Sequence, residues 1–69
     1  MTPAHPIAER LHDRALQLLG AAMLQSEMAE QLCAMGRHDE VPATLAELRT
    51  SLDEVVVELR AIMSELSTT

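Results

Sequence analysis

His12, Asp13 and Gln17 are the residues of this chain whose types and spacing could support chemistry. An imidazole with one unprotonated nitrogen can attack phosphorus, and an adjacent carboxylate can hold the proton on the other ring nitrogen. The same carboxylate would stabilise the imidazolium as it forms. The amide of Gln17, one helical turn and a residue after His12, could orient a water that removes a phosphoryl group by hydrolysis. The three side chains are therefore compatible with phosphoryl transfer through His12.

Each of these residues also has a plainer interpretation. A single histidine on a partly apolar helix is more often a surface or packing residue. Asp13 would be a favourable charge near the start of a helix, where the backbone N–H groups are unpaired. Gln17 would be a solvated residue of good helix propensity. The residue types alone therefore leave the role of His12 open.

The composition predicts a small all-α protein. Hydrophobic residues make up 48% of the 69 residues, yet Phe, Trp and Tyr are absent, so Leu, Ala, Met and Val must form the core. Most of these residues favour helices. The single cysteine, Cys33, cannot form an internal disulfide and is expected to pack in the core. No Cys/His cluster has zinc spacing, so oligomerisation is the expected way to complete so small a core.

The charge and the apolar pattern exclude several classes of partner. A net charge of −6 with only five Lys or Arg argues against nucleic acid, because phosphate binding requires a basic face. It argues equally against direct contact with an anionic membrane surface. No signal peptide is recognisable, and no apolar run is long enough to span a membrane. With a free thiol, these features predict a cytoplasmic protein.

Two helices and one turn are predicted from the chain. The first helix covers residues 7–35, and Gly36 ends it because glycine readily adopts positive φ. Residues 36–40 form the turn, and the second helix covers 41–66. Asp39 is a candidate N-cap, with Thr44 and Glu47 as a competing capping box. Residues 1–6 are expected to be a disordered or linker segment, and 67–69 a frayed tail.

Both predicted helices are too apolar to be covered by one neighbour. Apolar residues of the second helix alternate spacings of four and three, and we expect them to form one packed seam: Val41, Leu45, Leu48, Leu52, Val55, Leu59, Ile62 and Leu66. The acidic residues Glu47, Glu54, Glu58 and Glu65 are expected on its solvated face. The first helix is apolar on more than one side. The short turn forces the helices to be antiparallel, so we predict a hairpin that homodimerises into a four-helix bundle.

The segment 7–17, Ile-Ala-Glu-Arg-Leu-His-Asp-Arg-Ala-Leu-Gln, resembles the H-box of two-component sensor histidine kinases. The resemblance is to the subfamily with an HDxxxQ pattern, which includes nitrate/nitrite sensors and a thermosensor kinase. Residues 24–32 are similar to that family's LQxExAExL stretch, and residues 57–66 to the end of its second helix. The similarity covers residues 7–66 and is most specific at the H-box.

The resemblance implies a dimerisation and histidine phosphotransfer domain. His12 would be the phosphoacceptor, Asp13 the acid/base partner of its imidazole, and Gln17 the residue that positions water for the phosphatase reaction. A separate ATP-binding domain of the parent kinase would supply ATP and Mg, and a response regulator receiver domain would accept the phosphoryl group. This chain would hold no cofactor or metal itself and would be inactive alone, and the parent kinase could be membrane-anchored.

Two departures and two alternatives accompany this interpretation. Pro3 and Pro6 stand where the family has a charged helix leading into the H-box. The residues after Leu66 are too few for a nucleotide-binding domain, so we expect the chain to be either an excised fragment or a degenerate stand-alone protein. The first alternative is a non-enzymatic dimeric helical-hairpin adaptor or chaperone, in which His12 would be incidental. The second is a histidine phosphotransfer domain, but those carry a lysine and a glycine soon after the histidine, unlike the segment 14–16.

Overall fold

A computed structural model describes residues 6–67, so the expectations for residues 1–5 and 68–69 lie outside the described part of the chain. Helix α1 spans Pro6–Ala34, a 3-10 turn spans His38–Glu40, and helix α2 spans Val41–Ser67. The two helices pack against each other as a hairpin, and residues 6–67 contain no strand. The predicted all-α hairpin is confirmed.

Three of the four helix ends differ from the predicted ends by one residue, whereas α2 begins at the predicted residue, Val41. Pro6, expected in a linker, is the first residue of α1, because proline lacks only an N–H that a first-turn residue does not need. α1 ends at Ala34 rather than at residue 35. Ser67, expected in a frayed tail, is the last residue of α2, where its hydroxyl donates to the Met63 carbonyl at 2.7 Å.

Gly36 terminates α1 in the way that the sequence predicts. Its φ is +73°, a left-handed value that glycine adopts without steric cost. The Arg37 N–H then donates to the Leu32 carbonyl at 2.9 Å, and the Gly36 N–H to the Cys33 carbonyl at 3.1 Å. This pair of reversed hydrogen bonds is a Schellman motif, which satisfies carbonyls that the end of a helix leaves unpaired.

The start of α2 differs from both predicted caps. Asp39 lies inside the 3-10 turn, and Arg37 precedes that turn without a capping side chain. The Arg37 guanidinium instead forms an ion pair with Glu40, with Nη2 2.7 Å from Oε1. Thr44 is not a cap either, since it is buried within α2 and its hydroxyl donates to the Glu40 carbonyl at 3.4 Å. The turn is therefore stabilised by an ion pair and by backbone bonds.

The seam between α1 and α2 consists of small side chains. α1 buries an alanine at every seventh residue, and α2 buries two hydroxyl residues and one valine: Ala15, Ala22, Ala29, Thr44, Ser51 and Val55. The Ser51 hydroxyl donates to the Gln25 side-chain carbonyl at 2.9 Å across the seam. Because none of the fully buried side chains is large, the helices can approach closely, but the hairpin alone removes little apolar surface from water.

The apolar residues of α2 divide between two sides of the helix, so the prediction of one seam is wrong. Val41, Leu48, Val55 and Ile62 turn toward α1. The other four, Leu45, Leu52, Leu59 and Leu66, are 43–56% exposed. The apolar stripe is wider than the small-residue surface of α1 can cover, so half of it remains outside the hairpin.

These leucines belong to a continuous exposed surface that we call the apolar face. Its members share one side of the hairpin: Leu16, Leu19 and Met23 of α1, with Leu45, Leu52, Val56, Leu59, Met63 and Leu66 of α2. A shallow groove lined by Ser26, Cys33 and Leu45 joins the two helices on this side. The hairpin measures 52 × 21 × 10 Å, so it is a single layer of helices. A stable domain normally requires a second layer.

Two further expectations are corrected by the structure. Cys33 is exposed rather than packed in the core, and it lines the open groove between the helices together with Leu45. Glu58 is not on a solvated face: its side chain is only 14% exposed. Glu58 continues the seven-residue spacing of Thr44 and Ser51, and these positions face α1.

Candidate functional site

His12 lies in the second turn of α1, with its side chain 66% exposed. Asp13 is 76% exposed, and its Oδ1 lies 3.6 Å from Nδ1 of His12. This distance exceeds that of a direct hydrogen bond but places the carboxylate next to one ring nitrogen. A small rotation of either side chain would close the contact. The hairpin thus presents an accessible imidazole with a carboxylate beside it.

Gln17 is exposed but lies on a different side of α1 from His12. Five residues of α-helix rotate a side chain by about 140° and advance it by about 7.5 Å. Gln17 follows Asp13 by four residues instead, so these two side chains share one side of the helix. The structure therefore places Asp13 beside His12 and on the same side of α1 as Gln17, but it does not bring Gln17 to the imidazole.

His12 lies at one end of the apolar face. It precedes Leu16 by four residues and Leu19 by seven, and side chains at these spacings share a side of a helix. The Gln25–Ser51 hydrogen bond sets the hairpin register, which places Met63 and Leu66 of α2 at the same end. The imidazole is therefore bordered by exposed apolar side chains on one side and by Asp13 on the other.

An ion-pair cluster on the opposite side of α1 ties the two helices together near His12. Nε of Arg14 lies 3.0 Å from Oε1 of Glu58, and its Nη2 lies 3.6 Å from Oε2 of Glu54. This cluster was not predicted from the sequence. The sequence does contain a pattern that points to it. Polar residues recur at every seventh position of α2, at 44, 51, 58 and 65, next to an apolar stripe. Such spacing indicates a polar line that faces another helix.

The remaining surface features lie away from His12. One groove beside the turn is lined by Met28, Met35 and Ala43, and a second by Ser26, Cys33 and Leu45. His12 lines neither groove. Among residues 6–67, no cluster of His, Cys, Asp and Glu could hold a metal ion. Within the same residues, neither helix is long and apolar enough to cross a membrane.

A comparison with protein families decides the broader assignment. A family model described as "Histidine kinase" matches residues 5–69, which is nearly the whole chain and includes His12 and both helices. The chain belongs to this family. The HDxxxQ pattern at residues 12–17 is that of its dimerisation and phosphoacceptor domains, which act in two-component signal transduction. No curated protein and no solved structure matched the chain in the corresponding searches.

The family assignment and the exposed apolar residues of the histidine kinase domain are both consistent with self-association. Family membership implies homodimerisation, and the hairpin carries an apolar face that a second layer of helices would cover. The histidine of the motif is exposed near the start of the first helix.

Proposed function

We propose that this histidine kinase domain carries a phosphoryl group on His12. The observation that supports this most strongly is an exposed imidazole beside Asp13 within the family's HDxxxQ pattern. A separate ATP-binding domain of the parent kinase would bring ATP and Mg to this ring. The domain itself contributes the nucleophile and its position, and positioning alone can supply much of a phosphoryl-transfer rate.

Asp13 is the acid/base partner of the imidazole in this proposal. With Nδ1 protonated and facing the carboxylate, the lone pair of Nε2 attacks the γ-phosphorus of ATP. The new P–N bond forms as the bond from phosphorus to the bridging oxygen breaks, and ADP leaves with the electron pair. The ring then carries a positive charge, which the neighbouring carboxylate stabilises.

The second step passes the phosphoryl group to a response regulator. A carboxylate oxygen of a receiver aspartate attacks the phosphorus of phosphorylated His12, the P–N bond breaks, and the neutral imidazole is restored. Gln17 lies one turn beyond Asp13 on a side that a docked receiver could contact. There its amide would orient the water that hydrolyses the receiver's aspartyl phosphate, independently of the imidazole.

A homodimer is the form in which the domain would work. The apolar face of one hairpin would pack on that of a second copy, which gives the four-helix bundle and a second layer of helices. This arrangement is supported by six exposed large apolar residues on α2 alone, at positions 45, 52, 56, 59, 63 and 66. A monomer rarely leaves so continuous an apolar surface in water.

A labelling experiment tests the role of His12. The chain is mixed with a histidine kinase ATP-binding domain, magnesium and γ-labelled ATP, and acid-labile label on the chain is measured. We expect label on the wild-type chain and its complete loss in His12→Gln, because glutamine has no nucleophilic ring nitrogen.

The control variant is His38→Gln, which removes an exposed histidine from the turn and should keep full label. Absence of label on the wild-type chain, with an ATP-binding domain that labels its own helical domain, would favour the adaptor function. Label that survives His12→Gln would assign the phosphoacceptor elsewhere.

A further inference from the structure

The tightly packed part of the seam between α1 and α2 ends before His12. Its buried residues lie within 15–29 on α1 and within 44–55 on α2. Residues 6–14 and 56–67 contain no buried residue, and the side chains that face the seam there, such as Leu11 and Ile62, are only half-buried. His12 therefore lies on a terminal segment, residues 6–13, that packs less tightly than the middle of the hairpin. Segments of this kind open more readily than a core does.

The cluster of Arg14, Glu54 and Glu58 lies where the tight packing stops. Arg14 immediately precedes Ala15, the first buried residue of α1. Its Nε lies 3.0 Å from Oε1 of Glu58, and its Nη2 lies 3.6 Å from Oε2 of Glu54. The Glu58 side chain is only 14% exposed, so its carboxylate has lost most of its water and is costly to leave without a cation. The guanidinium therefore holds α1 to α2 at the boundary of the terminal segment.

The same cluster determines the direction in which His12 points. Two residues of α-helix rotate a side chain by about 200°, so His12 and Arg14 project from nearly opposite sides of α1. Because Arg14 reaches across to α2 on one side, the imidazole is turned to the other side, where it is 66% exposed. Rotation of α1 at this turn, or separation of its end from α2, would break the contacts of Arg14 and move His12 and Asp13 together.

Phosphoryl transfer is sensitive to movements of this size. The nucleophilic nitrogen must lie in line with the bond that breaks, and a displacement of about 1 Å can lower a rate by about 100-fold. A histidine on a helix end that opens and closes would spend part of its time out of line. The contact that holds α1 in place next to His12 would therefore influence the rate of transfer.

We propose that Arg14 is a positioning residue for His12. Held by Glu58 and Glu54, it keeps the second turn of α1 against α2 and fixes the direction of the imidazole. This inference rests on the phosphoacceptor role of His12 in the proposed function. Arg14 takes no part in the chemistry itself, because its guanidinium is directed toward α2 and away from the ring. Its effect on phosphorylation passes through the position of the helix.

A charge-swap series tests this role in the labelling assay described for His12→Gln. Arg14→Gln and Glu58→Gln each remove one charge of the closest pair, and we expect the initial rate of His12 labelling to fall about tenfold. Arg14→Glu combined with Glu58→Arg restores opposite charges across the two helices and should recover the rate to within about threefold of wild type. Arg10→Gln is the matched control, because it removes the same charge at the same sequence distance from His12 and should not change the rate. Rates are compared at a temperature at which circular dichroism shows every variant to be fully folded.

Amide hydrogen exchange separates positioning from overall stability and requires no ATP. In Arg14→Gln we expect the backbone amides of residues 10–13 to exchange about tenfold faster, while those of residues 22–32 change by less than about twofold. A general loss of stability would instead accelerate exchange of the protected amides of residues 22–32, and that outcome would overturn the positioning role.

The labelling rates distinguish the other outcomes. If Arg14→Gln is labelled at the wild-type rate, the positioning role is overturned while the phosphoacceptor role of His12 stands. If its rate falls but the charge swap does not restore it, Arg14 contacts the ATP-binding domain directly and the positioning role is again overturned. If the wild-type chain takes no label from an active ATP-binding domain, the proposed function is overturned, and the positioning role with it.

Discussion

At the scale of single residues, the environment of His12 combines solvent access with one adjacent carboxylate. The imidazole is 66% exposed, so a nucleotide or a receiver aspartate can approach it without any movement of the hairpin. Asp13 lies on one side of the ring, near Nδ1, so the two nitrogens are chemically distinct. In the proposed mechanism, the nitrogen that faces the acid would carry the proton and the other nitrogen would attack phosphorus.

Replacing Asp13 by Asn tests this division of roles. The change keeps the size of the side chain but removes the negative charge that stabilises the imidazolium. We expect the rate of His12 phosphorylation to fall about 100-fold, within the usual range for acid/base assistance. Initial rates of acid-labile labelling measure it. Glu9→Gln is the matched control because it removes a nearby exposed carboxylate that precedes His12 on α1. Equal rates for Asp13→Asn and wild type would exclude the assigned role.

The sequence predicted these site residues because their pattern is local. His12, Asp13 and Gln17 lie within two turns of one helix, so their relative placement follows from helical geometry alone. Arg14 and Glu58 are separated by 44 residues, and their contact depends on the register between two helices. No short-range pattern specifies that register, so the ion pair became visible only in the structure.

At the scale of elements, the seam between α1 and α2 is defined by small residues. Ala15, Ala22 and Ala29 let α2 approach closely, and this approach aligns Ser51 with Gln25 and Glu58 with Arg14. The predicted seam of α2 was wrong for the same reason. Heptad spacing alone cannot tell which half of a wide apolar stripe faces the alanines and which half faces outward.

Enlarging a seam alanine should separate the helices. Ala22 is only 4% exposed, so Ala22→Leu inserts three carbons where the backbones pack closely. We expect a loss of about 1–3 kcal/mol in the free energy of unfolding, typical of an overpacked core. Urea unfolding followed by circular dichroism at fixed protein concentration measures it. Ala21→Leu makes the same change at the exposed neighbouring position and should alter stability little. Equal stability of the two variants would show that the seam tolerates larger residues.

At the scale of the whole molecule, the hairpin is a single layer of helices and lacks the second layer that a stable domain normally has. It is 10 Å thick, and many of its large aliphatic side chains are exposed outside its own seam. The all-α class and the hairpin followed from composition and helical periodicity, which are properties of each helix alone. How a second copy would be oriented on the apolar face is a property of two chains, and the periodicity of a single helix does not specify it.

A charge placed on the apolar face should dissociate the proposed dimer. Leu59→Glu introduces a carboxylate at the centre of that face, and we expect a weakening of dimerisation of at least about 100-fold, because the charge would have to be buried. Analytical ultracentrifugation measures it. Val57→Glu is the matched control, since Val57 is 63% exposed but lies outside the apolar face. A dimer that withstands Leu59→Glu but dissociates in Val57→Glu would move the interface to the other side of the hairpin.

The alignment of His12 with Leu16 and Leu19 carries a consequence for how such a dimer behaves. In the proposed dimer, the ring that would carry the phosphoryl group lies at the border of the surface that would join the subunits. A phosphoryl group there adds about two negative charges and a hydration shell to that border. If the proposed dimer forms and His12 is phosphorylated, subunit contact at this end would be coupled to phosphate occupancy, and each would bias the other by the same amount. The opposite end of the hairpin, closed by the Schellman turn, lies far from His12 and would not be subject to this coupling.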